Sequence, residues 1–148
     1  EGWIEATSGN VVDYDVIRQH LLDVAKEHQI EEIGYDPWNA TQLATQLSEN
    51  GATCVPVRQG IASLTEASKE LERLILNGQF HHGGNPVLRW MFSNVAVIQD
   101  ASGNIKPAKN KSTERIDGVV AVIDALSCAI RHEGDGTSIY EQRGVLVL

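Results

Sequence analysis

Two aspartates stand at the ends of predicted secondary-structure elements. Asp36 follows a short apolar run over 30–34 and precedes a helix-like run over 39–50. Asp117 opens the last long apolar helix of the chain. Ligands and metals in α/β proteins commonly bind where a strand gives way to a helix. Carboxylates at the ends of two separate elements therefore suggest a divalent-metal site.

Each of these acids also has a purely structural explanation. Aspartate is a good helix N-cap, so Asp36 could simply cap the following helix, although Asn39 is the better-placed cap. A carboxylate in the first turn of a helix is favoured by the helix dipole by about 0.3–1 kcal/mol, which accounts for Asp117 without a metal. The residues alone leave both roles open.

Asp124 lies seven residues after Asp117, about two helical turns further on, so both project from nearly the same helix face. Its neighbours on that helix are apolar. A carboxylate buried there needs a hydrogen-bonding partner or a cation, because isolated buried charge is costly. Asp124 is therefore a further candidate metal ligand.

A basic cluster leads directly into Asp117. It consists of Lys106, Lys109, Lys111 and Arg115. Cations beside acidic metal ligands are what phosphodiester cleavage would use, because they hold the DNA backbone at the metal site. The alternative is an ordinary solvated loop.

Composition and motifs exclude several other function classes. The net charge of −8 argues against a basic nucleic-acid coat protein but allows a local DNA-binding patch. The sequence has no Walker loop and no dinucleotide-binding glycine motif. Its five histidines and two cysteines show no zinc-ligand spacing, so Cys54 and Cys128 are expected to be free buried thiols.

No apolar run approaches the roughly 20 residues that span a membrane, and no secretory signal is visible. The chain is therefore expected to act in the cytoplasm. Because the only methionine is Met91, we also expect a piece of a longer or processed protein.

The order of elements predicts an α/β domain with a partly parallel sheet. Helices are predicted from Asp13 to Lys26, over 39–49, from a Ser63-Leu64-Thr65-Glu66 capping box to Gly78, from Asn85-Pro86, and over 116–130. Strands are predicted over 30–35 and 52–57, with a hairpin at 95–107 and a loose strand over 3–7. The apolar tail 145–148 is either an extra strand or a disordered end.

An ordered set of motifs resembles the C-terminal nuclease domain of phage terminase large subunits, the DNA-packaging motors of tailed phages. The resemblance covers about residues 3–129. The motifs that carry it are Tyr35-Asp36-Pro37-Trp38-Asn39-Ala40, Leu47 to Gly51, Val57-Arg58-Gln59-Gly60, Leu64-Thr65-Glu66-Ala67, Asn85-Pro86-Val87-Leu88-Arg89-Trp90, Asn94-Val95-Ala96-Val97, and Lys111 to Ala121.

The resemblance implies an RNase H-like fold, a mixed sheet flanked by helices, over residues 1–131, followed by the tail 132–148. The family's first catalytic aspartate lies on an opening strand, which this chain is expected to lack together with the preceding ATPase domain. The missing strands would leave a sheet edge unpaired.

The resemblance also implies a function. Asp36 and Asp117 correspond to catalytic metal ligands for Mg²⁺ or Mn²⁺, two ions in a complete site. Asp124 stands where the family usually carries an apolar residue, so it is a helper at most. Lys109, Lys111 and Arg115 would position double-stranded DNA. The implied activity is cleavage of concatemeric viral DNA, weak or absent in this fragment.

The implied partners are the terminase small subunit and the portal protein of the complete motor. A rival hypothesis is a non-catalytic prophage remnant or assembly module that keeps the fold, in which the unpaired sheet edge joins copies of the chain.

Overall fold

Five helices and four short strands make up the part of the chain that the structure, a computed structural model, describes: residues 2–133, except the side chains of Asn39 and Glu133. In chain order they are α1 (Tyr14–Glu27), β1 (Ile33–Tyr35), α2 (Pro37–Glu49), β2 (Cys54–Pro56), α3 (Ile61–Leu76), α4 (Pro86–Asn94), β3 (Val97–Gln99), β4 (Ile105–Pro107) and α5 (Asp117–Glu133). The expected mixture of helices and strands is confirmed.

The strands form two separate pairs. β1 and β2 are parallel, with Ile33 opposite Cys54 and Tyr35 opposite Pro56. β3 and β4 are antiparallel, and the Asp100 carboxylate accepts backbone hydrogen bonds from Ser102 and Asn104 across the turn, each of 2.9 Å. The hairpin is as predicted. One continuous mixed sheet is absent from residues 2–133, because the two pairs do not hydrogen-bond to each other.

The core lies between α3 and α5. Leu64, Leu71 and Leu74 of α3 and Val119 and Ile123 of α5 are nearly inaccessible to solvent. Side chains of α4 and β2 pack in or against this core. The apolar stripe of α5 is therefore the surface on which α3, α4 and β1 pack.

Gly34 allows β1 to lie directly on α5. A Cβ atom at this position would stand 2.8 Å from the backbone oxygen of Asp124 and 2.9 Å from Cys128 Sγ. Neither neighbour leaves room for a side chain. The absence of a Cβ therefore brings the end of β1, and Asp36 after it, towards the part of α5 that carries Asp124.

Some helix starts differ from the sequence predictions. α2 begins at Pro37 and is capped by Asp36, so the assignment of Asn39 as its cap was wrong. α3 begins at Ile61 after Gly60, and the Ser63 capping box does not form. The first turn is already closed there, because the N–H groups of Ser63 and Leu64 both donate to the Gly60 carbonyl.

In the N-terminal segment the predicted helix is present, but the predicted strand over residues 3–7 is not. α1 begins after Asp13, whose carboxylate accepts from the backbone N–H groups of Asp15 and Val16, as expected. Residues 3–7 form no strand, and Trp3 and Ile4 are exposed, so they gain no sheet partner that would hold them extended.

Cys54 and Cys128 are both free, as predicted, but only Cys128 is buried; Cys54, on the short strand β2, is partly exposed. No helix within residues 2–133 has the length and hydrophobicity to cross a bilayer. The expected strand at 145–148 and most of the tail 132–148 lie outside the described residues.

We expect Gly34→Ala to destabilise the domain by about 1–3 kcal/mol, because the new methyl group meets the backbone of α5 and cannot be accommodated without moving β1. Gly118→Ala is the matched comparison. Its Cβ would meet the ends of the flexible Met91 and Leu88 side chains, which can move aside. Urea unfolding measures both, and a smaller loss at Gly34 than at Gly118 would contradict the close approach of β1 to α5.

Candidate functional site

Asp36 lies between β1 and α2 and is partly exposed. Its Oδ1 accepts a hydrogen bond of 3.0 Å from the backbone N–H of Trp38. Asp36 therefore does cap α2, as the structural explanation expected. This role does not exclude metal binding, because an ionised carboxylate has two oxygens and several lone pairs, of which the cap uses one.

Asp117 is the first residue of α5, and its side chain is 55% exposed. Lys109 Nζ lies 2.6 Å from its Oδ1. The hydrogen bond from Lys109 lowers the pKa of the Asp117 carboxyl, and the positive charges of Lys109 and Arg115 act in the same direction. Asp117 is thus an ionised, solvent-facing carboxylate that already attracts a cation.

Asp124 differs from Asp117 in its surroundings. Only 6% of its surface is exposed, and burial raises the pKa of its carboxyl group. The negative charge of Asp36 raises this pKa further, whereas the hydrogen bond from Gln59 and the charge of Lys109 lower it. The structure therefore brings Asp124 within electrostatic range of both Asp36 and Lys109.

Gln59 supplies the partner that a buried Asp124 requires. Its Nε2 donates to Asp124 Oδ1 at 3.0 Å and to the backbone oxygen of Val57 at 3.1 Å. Lys106 Nζ in turn donates to the backbone oxygen of Gln59 at 2.9 Å. The sequence analysis gave Gln59 no role. The signal was its position just after β2, because the carboxyl ends of parallel strands lie at one edge of the sheet, beside Asp36.

The acids form an extended row. Asp117 and Asp124 are seven residues apart on α5, so their Cα atoms are about 10 Å apart along the helix axis. Asp36, which follows β1, lies within electrostatic range of Asp124. Within residues 2–133 no group of three or more His, Cys, Asp or Glu residues is close enough to hold a metal ion.

The predicted DNA-binding residues do not share one orientation. Lys109 pairs with Asp117. Lys111 and Arg115 are exposed on the segment that joins β4 to α5. Lys106, which the sequence analysis placed in the basic cluster, contacts the backbone beside Gln59. The segment therefore offers cations both to the acids and to the solvent.

The side chains at this site carry the oxygen donors that a hard divalent cation prefers. Carboxylate oxygens are the ligands that Mg²⁺ and Mn²⁺ prefer, and Asp117 already holds the ammonium group of Lys109 in the position of a cation. Asp36 and Asp117 are the accessible donors, and Asp124 is buried.

Comparisons with known proteins identify relatives of the chain. The profile described as terminase large subunit, endonuclease domain matches residues 1–133. The large terminase subunit of Enterobacteria phage HK97 is 33% identical over 131 residues, which cover 87% of this chain and 26% of that protein. Protein YmfN of Escherichia coli (strain K12) is 34% identical over 139 residues, which cover 92% of this chain and 30% of that protein.

A solved structure agrees with these sequence relationships. The crystal structure of the HK97 bacteriophage large terminase superposes with a TM-score of 0.79 at 32% identity, over 86% of this chain and 27% of that one. The chain thus spans less than a third of the length of these relatives.

We expect Asp124→Asn to stabilise the metal-free protein near neutral pH, by about 1 kcal/mol, because the amide keeps an acceptor for Gln59 and removes a desolvated charge. The folded chain holds the Asp124 proton to higher pH than the unfolded chain. The contribution of Asp124 to the stability of the fold is therefore largest below pH 3.8, the ordinary pKa of an aspartate, and falls as the pH rises above that value.

Asp117→Asn is the control with the opposite sign. Because the pKa of the Asp117 carboxyl is lowered in the folded chain, its ionised form stabilises the fold above pH 3.8, and this stabilisation is lost as the pH falls. Thermal unfolding in EDTA at about pH 7 and about pH 3 measures both variants. A loss of stability in Asp124→Asn at neutral pH would show that the charge of Asp124 is not penalised by burial.

Proposed function

This chain belongs to the terminase large subunit endonuclease domain family, and from this membership we propose that it is a divalent-metal-dependent endonuclease domain acting on double-stranded DNA. The observation that carries the proposal is the row of acids. Asp36, at the end of β1, influences Asp124, and Asp124 shares one face of α5 with Asp117, which is bound to Lys109.

In this proposal Asp36 and Asp117 hold Mg²⁺ or Mn²⁺, and Asp124 assists from its buried position on α5. The bound cation would supply charge stabilisation to the phosphodiester group that is cleaved. Gln59 keeps Asp124 oriented, since it donates to one of the carboxylate oxygens. Asp36 and Asp117 act as metal ligands in this assignment and do not shuttle protons.

The exposed cations that precede α5 would hold the DNA. Lys111 and Arg115 are exposed, and the chain otherwise carries a net charge of −8. A local positive patch of this kind can bind phosphates only where it outweighs the surrounding acids, which a bound divalent cation would help to neutralise. We therefore propose that DNA binds over the beginning of α5.

The family and the superposition on a large terminase support an RNase H-like architecture for this domain. The natural substrate would be concatemeric viral DNA, and the partners would be the small terminase subunit and the portal protein, in the cytoplasm of the host cell. Because residues 2–133 do not gather three metal ligands, we propose that this chain alone cuts DNA weakly or not at all.

The absence of three gathered metal ligands within residues 2–133 also favours a second candidate function. If the described residues hold no complete ligand set, the domain could serve as a non-catalytic assembly module that keeps the fold. β1 and β2 form a sheet of two strands among the described residues, and the edges of such a sheet can pair with another copy of the chain. A monomer in size-exclusion chromatography would count against this pairing.

We expect the chain to bind Mn²⁺ and to nick supercoiled plasmid slowly or not measurably. Asp36→Asn should weaken Mn²⁺ binding by roughly tenfold or more, because it removes a charged ligand. The amide retains the helix cap, since asparagine caps as well as aspartate. Calorimetric titration with Mn²⁺ and a plasmid nicking assay measure the two properties.

The matched control is Asp23→Asn, which makes the same substitution on α1, where Asp23 pairs only locally with Lys26 and Gln19. It should bind Mn²⁺ like the parent chain. Wild-type protein that does not bind Mn²⁺ would overturn the nuclease assignment in favour of the assembly module. Rapid nicking that Asp36→Asn abolishes would instead overturn the proposal that this chain is weak.

Lys111→Gln and Arg115→Gln should each weaken DNA binding for all sequences alike and reduce the salt dependence of binding by about one phosphate contact. Lys26→Gln, at the end of α1, removes the same charge outside the segment that precedes α5 and should leave the salt dependence unchanged. Fluorescence anisotropy with a labelled duplex at several salt concentrations measures this. Equal effects of the three substitutions would indicate a response to net charge alone.

A further inference from the structure

Lys109 is the cation nearest to the row of acids. Its Nζ lies 2.6 Å from Asp117 Oδ1, and its charge also acts on Asp124. The ammonium group therefore pairs with Asp117 and lies within electrostatic range of Asp124, about two turns further along the same face of α5. A metal ion that binds the same carboxylate oxygen would have to displace it.

The backbone that carries Lys109 is fixed by its neighbours. Ala108 is 3% exposed, and its N–H donates to the Ala96 oxygen at 2.8 Å. Its carbonyl accepts from the Ser112 hydroxyl, also at 2.8 Å, and that hydroxyl accepts from the Ala96 N–H at 3.0 Å. The place from which the Lys109 side chain extends is thus set by the β3–β4 hairpin.

The side chain itself remains able to move. It is 62% exposed, and lysine carries its charge on a flexible stem of four carbons. Ion pairs as exposed as this one contribute no more than about fivefold to an equilibrium constant. A divalent cation that approaches Asp117 can therefore displace the ammonium group at small cost, without movement of the backbone.

We propose that Lys109 is a resident counter-cation that a divalent metal ion displaces from Asp117, after which its ammonium group binds a DNA phosphate. The inference rests on the proposed function, because it requires the metal at Asp117. Before metal binds, Lys109 reduces repulsion between the acids. After metal binds, the repulsion between two cations drives Lys109 outward, so metal and DNA strengthen each other's binding.

The first test is Mn²⁺ affinity. Lys109→Gln should bind Mn²⁺ about two- to fivefold more tightly than the parent chain, because no ammonium competes for Asp117. Lys69→Gln removes the same charge from α3, where Lys69 acts on Asp100, and should leave the affinity unchanged. In an Asp117→Asn background, Lys109→Gln should not change Mn²⁺ affinity, because the carboxylate for which the ammonium and the metal compete is gone.

The second test is the coupling between the two ligands. Mn²⁺ should strengthen binding of a short labelled duplex to the parent chain, measured by anisotropy, and should do so less in Lys109→Gln. The Lys69→Gln variant should keep the full coupling. Together the two measurements separate a displaced counter-cation from a lysine that only adds positive charge.

The outcomes distinguish this inference from the proposed function. If the parent chain binds no Mn²⁺, or binds it equally well after Asp117→Asn, the assignment of the metal to Asp117 fails and the inference fails with it. If Mn²⁺ binding depends on Asp117 but Lys109→Gln binds it no more tightly, or keeps the full coupling to DNA, the inference alone is overturned.

Discussion

The candidate site depends on the direct contact between β1 and α5. At Gly34 the strand lies so close to the helix that a Cβ atom would stand 2.8 Å from the backbone oxygen of Asp124. This contact brings Asp36 within electrostatic range of Asp124. A larger residue at position 34 would move the strand, and with it the acid at its end, because neither backbone can yield separately.

Two aspartates on one face of α5 have opposite electrostatic surroundings. Asp117 at the solvent-exposed end is stabilised in its charged form by Lys109, whereas burial disfavours the charged form of Asp124. Gln59 and the charge of Lys109 only partly offset that burial. A cation over this face would favour the ionised form of both groups. The helix thus presents an exposed acid that attracts cations and a buried acid that lacks full compensation.

Local sequence signals predicted much of the secondary structure. The Asp13 cap, the Asn85-Pro86 helix start and the turn of the β3–β4 hairpin are all formed by residues close in sequence, so their hydrogen bonds could be anticipated. The capping box did not form because α3 begins earlier, at Ile61, where the N–H groups of Ser63 and Leu64 donate to the Gly60 carbonyl. A contact distant in sequence, the hydrogen bond from the Ile105 N–H to the Thr65 hydroxyl, joins this helix to β4.

Local patterns were enough to show which acids stand at the ends of elements and which family the ordered motifs resemble, because caps, turns and motifs depend on residues near one another in the chain. Which of those groups meet depends on how the elements pack. The Gln59–Asp124 hydrogen bond joins residues 65 positions apart, and the Lys109–Asp117 pair depends on how the hairpin packs. Such contacts arise from the packing of elements against a shared core, which no local pattern encodes.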